Sequence, residues 1–92
     1  MDTARAHLFI EGRVQGVCYR FFTRNVAETL GLHGWVRNLR DGRVEALFEG
    51  RRDSVEKAIQ QCKNGPPGAR VTNIEVLWEQ FNGEQKEFEI RY

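Results

Sequence analysis

Cysteine is scarce in this chain. Cys18 and Cys62 are the only two, and they lie too far apart in the sequence for a disulfide framework or a zinc site. One disulfide between them stays open, and a reduced, cytoplasmic setting is the simpler expectation. Long apolar runs are missing as well, since no stretch approaches the roughly 20 residues that span a bilayer. The start, Met1-Asp2-Thr3-Ala4-Arg5, lacks the charged-then-apolar layout of a signal peptide, and no Asn-x-Ser/Thr acceptor occurs. An excess of either charge is also absent: 14 basic and 13 acidic residues leave a net charge of +1. That balance argues against a nucleic-acid scaffold or a membrane-surface binder. Any anion chemistry must come from local arrangement.

What is present suits one small packed domain, residues 1–92. The 92 residues are 40% hydrophobic and include Trp35, Trp78 and six phenylalanines, too apolar a mix for a disordered chain. Residues 6–12 read as a strand, with Leu8 and Ile10 alternating with His7, Phe9 and Glu11. A loop follows, Gly12-Arg13-Val14-Gln15-Gly16-Val17-Cys18-Tyr19. Residues 20–30 read as a helix whose apolar stripe is Phe22, Val26, Ala27 and Leu30, stopped by Gly31. Residues 33–39 read as a second strand, Trp35 and Arg37 on one face, Gly34, Val36 and Asn38 on the other. Asp41-Gly42 signals a hairpin into a third strand, 43–49, with Val44, Ala46 and Phe48 inward and Glu45, Leu47 and Glu49 outward.

A second helix spans 54–63, opened by a capping-box-like Asp53 and Glu56, with Val55, Ala58, Ile59 and Cys62 as its buried stripe. Gly65-Pro66-Pro67 ends it. A fourth strand, about 70–79, places Ile74, Val76 and Trp78 on one face. After the Asn82-Gly83 turn signal, residues 86–91 form a fifth strand with Phe88 and Ile90 inward. The order β-α-β-β-α-β is the ferredoxin-like pattern: an α+β sandwich with two helices on one face of an antiparallel sheet of four to five strands. A right-handed crossover makes the first two strands parallel, with the third between them. The Gly12–Tyr19 loop and Asn38 then share one rim. If the fifth strand returns beside the fourth, Tyr92 arrives near that rim too.

A helix start offers free N–H groups and partial positive charge to an anion, and Gly16 lets the backbone approach closely. Arg20 sits in the first helical turn, where a cation opposes the dipole, so its placement hints at use. A guanidinium can donate two parallel hydrogen bonds to a phosphate. On these residues alone, a phosphate cradle competes with an ordinary surface turn, and Asn38 with a polar strand end. No Gly-Lys-Ser/Thr opens the helix, so a nucleotide-binding P-loop is excluded.

Two longer motifs narrow the choice. Gly12-Arg13-Val14-Gln15-Gly16-Val17-Cys18-Tyr19-Arg20 closely resembles the acylphosphatase signature Gly-x-Val-Gln-Gly-Val-x-Phe-Arg. Gly31-Leu32-His33-Gly34-Trp35-Val36-Arg37-Asn38 resembles that family's second motif, Gly-x-x-Gly-x-Val-x-Asn. Asp41-Gly42 and Gly65-Pro66-Pro67 fall where the family has its turn and post-helix break, so the resemblance spans essentially the whole chain. It implies a metal-free, cofactor-free hydrolase that cleaves the carboxyl–phosphate bond of a small acyl phosphate. No edge feature demands a dimer, so a monomer is expected, acting without nucleic acid or membrane. It implies that Arg20 binds phosphate, Asn38 positions the attacking water, and the backbone amides of Gln15, Gly16, Val17, Cys18 and Tyr19 complete the phosphate site. Tyr19 replaces the usual Phe.

A carboxylate is a good leaving group, so no strong general acid is required, and the proton of the attacking water can pass to a substrate oxygen. His7 and His33, expected at the far end of the sheet, read as surface or edge residues. Cys18 reads as a small space-filler beside Tyr19, or as a thiol whose oxidation blocks the site. The terminal carboxylate of Tyr92 is expected to orient Arg20. Two rivals remain: an RNA-binding domain, disfavoured by acidic Glu45 and Glu49 on the outer sheet face, and a non-catalytic phosphate sensor.

Overall fold

The computed structural model describes residues 2–92. Its elements are β1 (Thr3–Arg13), α1 (Tyr19–Thr29), β2 (His33–Asn38), β3 (Val44–Arg51), α2 (Arg52–Asn64), β4 (Arg70–Glu79) and β5 (Phe88–Ile90). The sheet order is β4-β1-β3-β2-β5, with only β2 and β5 parallel neighbours. Both helices lie on one face, giving the ferredoxin-like α+β sandwich. Alternation explains the core. Ala4, Ala6, Leu8 and Ile10 of β1, Val36 of β2, and Val44, Ala46 and Phe48 of β3 are buried beneath Val26 and Ala27 of α1 and Val55, Ala58, Ile59 and Cys62 of α2. No helix among the described residues is long and apolar enough to cross a membrane.

The topology departs from expectation at β5. It pairs in parallel with β2 (Gly34 with Phe88, Val36 with Ile90), not with β4. Phe88 explains the choice: its ring stacks 5.6 Å from that of Phe48 and is buried, an apolar contact available only at the β2 edge. The segment before it is held across the sheet end by Asn82, whose N–H donates to Glu49 Oε2 at 3.2 Å. Because β5 runs parallel to β2, the chain end still reaches the rim where β1 and β2 finish.

Four further differences have local causes. The α2 helix starts at Arg52, earlier than expected, so Asp53 lies inside the first turn and forms no capping box with Glu56. There Asp53 Oδ1 accepts from the Ser54 N–H at 2.8 Å and from Arg51 Nε at 3.2 Å. Trp78 faces the helix side as expected but remains 44% exposed at the β4 edge, with the Arg52 guanidinium 4.4 Å from its ring centroid. The outer face of β3 is not a solvated surface: Glu45, Leu47 and Glu49 are all buried. His7 is the fourth case. It lies mid-strand on that outer face, with Nε2 2.6 Å from Glu45 Oε2 and Nδ1 3.3 Å from Glu79 Oε2.

These contacts belong to a layer of ion pairs on the sheet face that also carries the buried Leu47. Arg37 Nε reaches Glu45 Oε1 at 2.6 Å, and Arg5 bridges Glu49 at 3.1 Å and Glu79 at 2.9 Å. Burial opposes the charge on Glu45, but the bonds from Arg37 and His7 outweigh it and hold its carboxyl below the ordinary value. A group shifted in that direction favours the folded state above its unfolded pKa, and the contribution fades as pH falls through the lowered one.

Candidate active site

The rim where β1 and β2 end is shaped first by the path of residues 12–19. Gly12 belongs to β1, not to the loop, and sits where the β1–β4 register shifts. Its φ of 126° and the adjacent Arg70 carbonyl oxygen leave no room for a Cβ. Val14 then anchors the loop in the core. Beyond it Gly16 (φ 74°) and Cys18 (φ 60°, ψ 28°) are both left-handed, an uncommon conformation for a non-glycine residue. These two reversals wrap the peptide groups before α1. Among the described residues, the N–H groups of Gln15, Gly16, Val17 and Cys18 donate to no acceptor of the chain. The free amides of a helix start stand beside them, and the first turn of α1 holds no acidic residue.

Arg20 projects from that first turn, half-buried, and forms no ion pair with a carboxylate among the described residues. Its Nη1 lies 3.5 Å from the Arg91 carbonyl oxygen and its guanidinium 4.7 Å from the Tyr92 ring centroid. The chain end therefore meets Arg20 through a carbonyl and an aromatic face, not through the expected terminal carboxylate. Arg91 is fixed in turn, its N–H donating to the Val36 carbonyl at 2.8 Å. Asn38 follows two residues later on β2, exposed at the strand end, on the same helix-covered face as Val36. Gln15 joins the loop to this strand: its Nε2 donates to the carbonyls of Leu39 at 2.7 Å and Arg43 at 3.0 Å. The structure thus brings the loop amides, Arg20, Asn38 and the chain end to one rim.

The histidines and cysteines fall elsewhere or play other parts. His7 is engaged on the outer sheet face. His33 is exposed at the start of β2, Nδ1 3.1 Å from the Gln85 carbonyl oxygen. Cys18 is exposed, which removes the space-filling reading, and both cysteines are free. Burial pushes the Cys62 thiol up to about 12, so it stays protonated and unreactive at neutral pH.

Comparison with known proteins gives the family. The family model described as acylphosphatase matches residues 6–90. An acylphosphatase of Roseiflexus sp. is 56% identical over 90 residues, covering 98% of this chain and 97% of that protein. One from Syntrophobacter fumaroxidans is 52% identical over 92 residues, covering 100% and 95%. Among solved structures, acylphosphatase from Bacillus subtilis superposes with a TM-score of 0.94 at 37% identity, covering 97% of this chain and 99% of that one. The chain belongs to the acylphosphatase family. It is accordingly a hydrolase, an acylphosphatase that cleaves acyl phosphates to a carboxylate and inorganic phosphate.

The tyrosine within the acylphosphatase signature has a specific role in this chain. The Tyr19 hydroxyl is buried and donates to the Cys62 carbonyl at 2.6 Å, capping one of the last carbonyls of α2. Burial raises its phenol well above the ordinary value, so it remains a donor. One turn on, the Thr23 hydroxyl donates to the Tyr19 carbonyl at 2.9 Å. Tyr19 thereby pins the start of α1 and the loop before it to α2, a part that phenylalanine cannot play. Tyr19→Phe is expected to lower stability by about 1–2 kcal/mol, because the Cys62 carbonyl is left buried without a donor. For a domain of this size, the midpoint of thermal unfolding should fall by roughly 5 °C or more, with acyl phosphate hydrolysis little changed. An unaltered midpoint would remove this role for the hydroxyl. Sequence reading missed this bond, and also the Gln15 side chain and the Arg91 carbonyl, because backbone acceptors leave no residue signature.

Proposed function

We propose that hydrolysis takes place at this rim, with Arg20 and Asn38 in separate roles. The N–H groups of Gln15, Gly16, Val17, Cys18 and Tyr19, together with the Arg20 guanidinium, hold the phosphoryl oxygens. The side-chain carbonyl of Asn38 accepts a hydrogen bond from a water and aims its oxygen at phosphorus, in line with the acyl oxygen. The new P–O bond forms as the P–O(acyl) bond breaks. The electron pair leaves with the carboxylate, and the water's proton ends on the phosphate, giving dihydrogen phosphate from an acyl phosphate dianion. The carboxylate departs without protonation, so catalysis rests on positioning and charge stabilisation. The observation that carries this reading is a guanidinium without a carboxylate partner, set beside a run of undonated amides.

The reading extends to the whole chain. Residues 1–92 act as one domain, on a small-molecule acyl phosphate, with no cofactor and no metal, the cationic guanidinium supplying the charge. We take the protein to be a cytoplasmic monomer, supported by two free thiols and by Arg70, Glu75 and Glu79 along the free edge strand β4. Nucleic acid is disfavoured because 14 basic and 13 acidic residues leave the chain without a basic field for a phosphate backbone. The test is hydrolysis of benzoyl phosphate, followed by absorbance, in the presence of a chelator and increasing inorganic phosphate. Turnover that resists chelation and is competitively inhibited by phosphate is expected. No turnover would leave a phosphate-binding domain without catalysis, and loss of turnover on chelation would overturn the metal-free reading.

A further inference from the structure

The hairpin after Asn38 is weakly tied to the sheet. The β1–β3 ladder ends at the pair Ile10 and Val44, and β1 then continues alone against β4. Residues 39–43 overhang beyond that last pair. They close on themselves: the Leu39 N–H donates to the Arg43 carbonyl at 2.8 Å and the Gly42 N–H to the Leu39 carbonyl at 3.2 Å. The Arg43 guanidinium lies 5.0 Å from the Phe9 ring centroid, a contact without strong directionality.

The directional tie comes from Gln15. A carboxamide nitrogen carries two protons, and the Nε2 of Gln15 reaches the carbonyls of Leu39 and Arg43, one on each side of the hairpin mouth. Leu39 directly follows Asn38. One side chain therefore spans from the phosphate loop to the strand end that carries the water-orienting residue. Arg20 needs no such link, since it rises from α1 at the other end of the loop.

We propose that the Gln15 side chain is a positioning residue that fixes Asn38 in register with the phosphate cradle, so that it governs turnover and not phosphate affinity. The inference rests on the roles assigned above to Arg20 and Asn38. It is separate from the part played by the Gln15 backbone amide, which any side chain would retain. Misplacing a reacting group by about 1 Å can cost up to 10²-fold in rate.

The test is Gln15→Met, which keeps length and shape but removes both donors. Its kcat for benzoyl phosphate should fall about 10- to 100-fold, while phosphate inhibition stays within about twofold of the parent. The double variant Gln15→Met/Asn38→Ala should be no slower than Asn38→Ala alone, since one side chain acts through the other. Multiplying losses, or phosphate inhibition weakened in step with kcat, would overturn the inference. A slow Asn38→Ala beside a fully active Gln15→Met would overturn it and leave the site roles standing. A fully active Asn38→Ala would take down both. Should Gln15→Met not fold, NMR of the parent decides: slowly exchanging Gln15 side-chain amide protons, coupled to the Leu39 and Arg43 carbonyls, support the clamp, and freely exchanging ones overturn it.

Discussion

Arg20→Ala is expected to lower kcat/KM for benzoyl phosphate by at least about 10²- to 10³-fold, the loss typical of removing one preorganised donor from developing charge. That is about 3–4 kcal/mol of transition-state stabilisation. Inhibition by inorganic phosphate should weaken in the same variant, because product and transition state share the guanidinium. Stability should hold or rise slightly. A cation in the first turn of α1 opposes the helix dipole, and no carboxylate there offsets it. Loss of activity with unimpaired folding would separate a functional arginine from a structural one. Arg20→Lys tests geometry, since an ammonium keeps the charge but not the two parallel donors, and it should restore only a small part of the rate. Parental turnover in Arg20→Ala would refute the assignment.

Asn38→Ala should behave differently. Its turnover should drop by about 10²-fold, a loss comparable to that of a single oriented polar group, while phosphate inhibition stays near the parental value. The carboxamide is assigned to the water and not to the phosphoryl oxygens, and it stands at an exposed strand end where its removal strands no buried partner. Asn38→Asp is a useful companion. It keeps an acceptor oxygen but adds negative charge near the bound phosphoryl group, so KM should rise as well. Equal weakening of phosphate inhibition in Arg20→Ala and Asn38→Ala would erase the division of labour between them.

Periodicity carried the elements facing a core. The alternation through Leu8 and Ile10 and the stripe Val55, Ala58, Ile59 and Cys62 mark buried faces directly, and all six residues are buried. Signals that depend on a partner were harder to read. The short strand around Phe88 has too few residues to specify its neighbour, and a single aromatic stack with Phe48 decides it. Glu45 and Glu49 read as solvent-facing because charge usually avoids burial, yet Arg37 and His7 engage both oxygens of Glu45, and Arg5 engages one oxygen of Glu49, from adjacent strands. At the site, Arg20 and Asn38 were legible as side chains within motifs. The Arg91 carbonyl, the Tyr92 ring and the double bond from Gln15 were not, since they depend on where backbone groups come to rest.

The parallel seating of β5 against β2 also has a practical geometry. The last residues finish beside Arg20, whereas β1 begins at the opposite end of a molecule 36 Å in its longest dimension. A purification handle or fusion partner attached after Tyr92 would sprout from the rim beside Arg20, where substrate is proposed to bind. The same appendage placed ahead of Asp2 would leave from the far pole and keep clear of the chemistry.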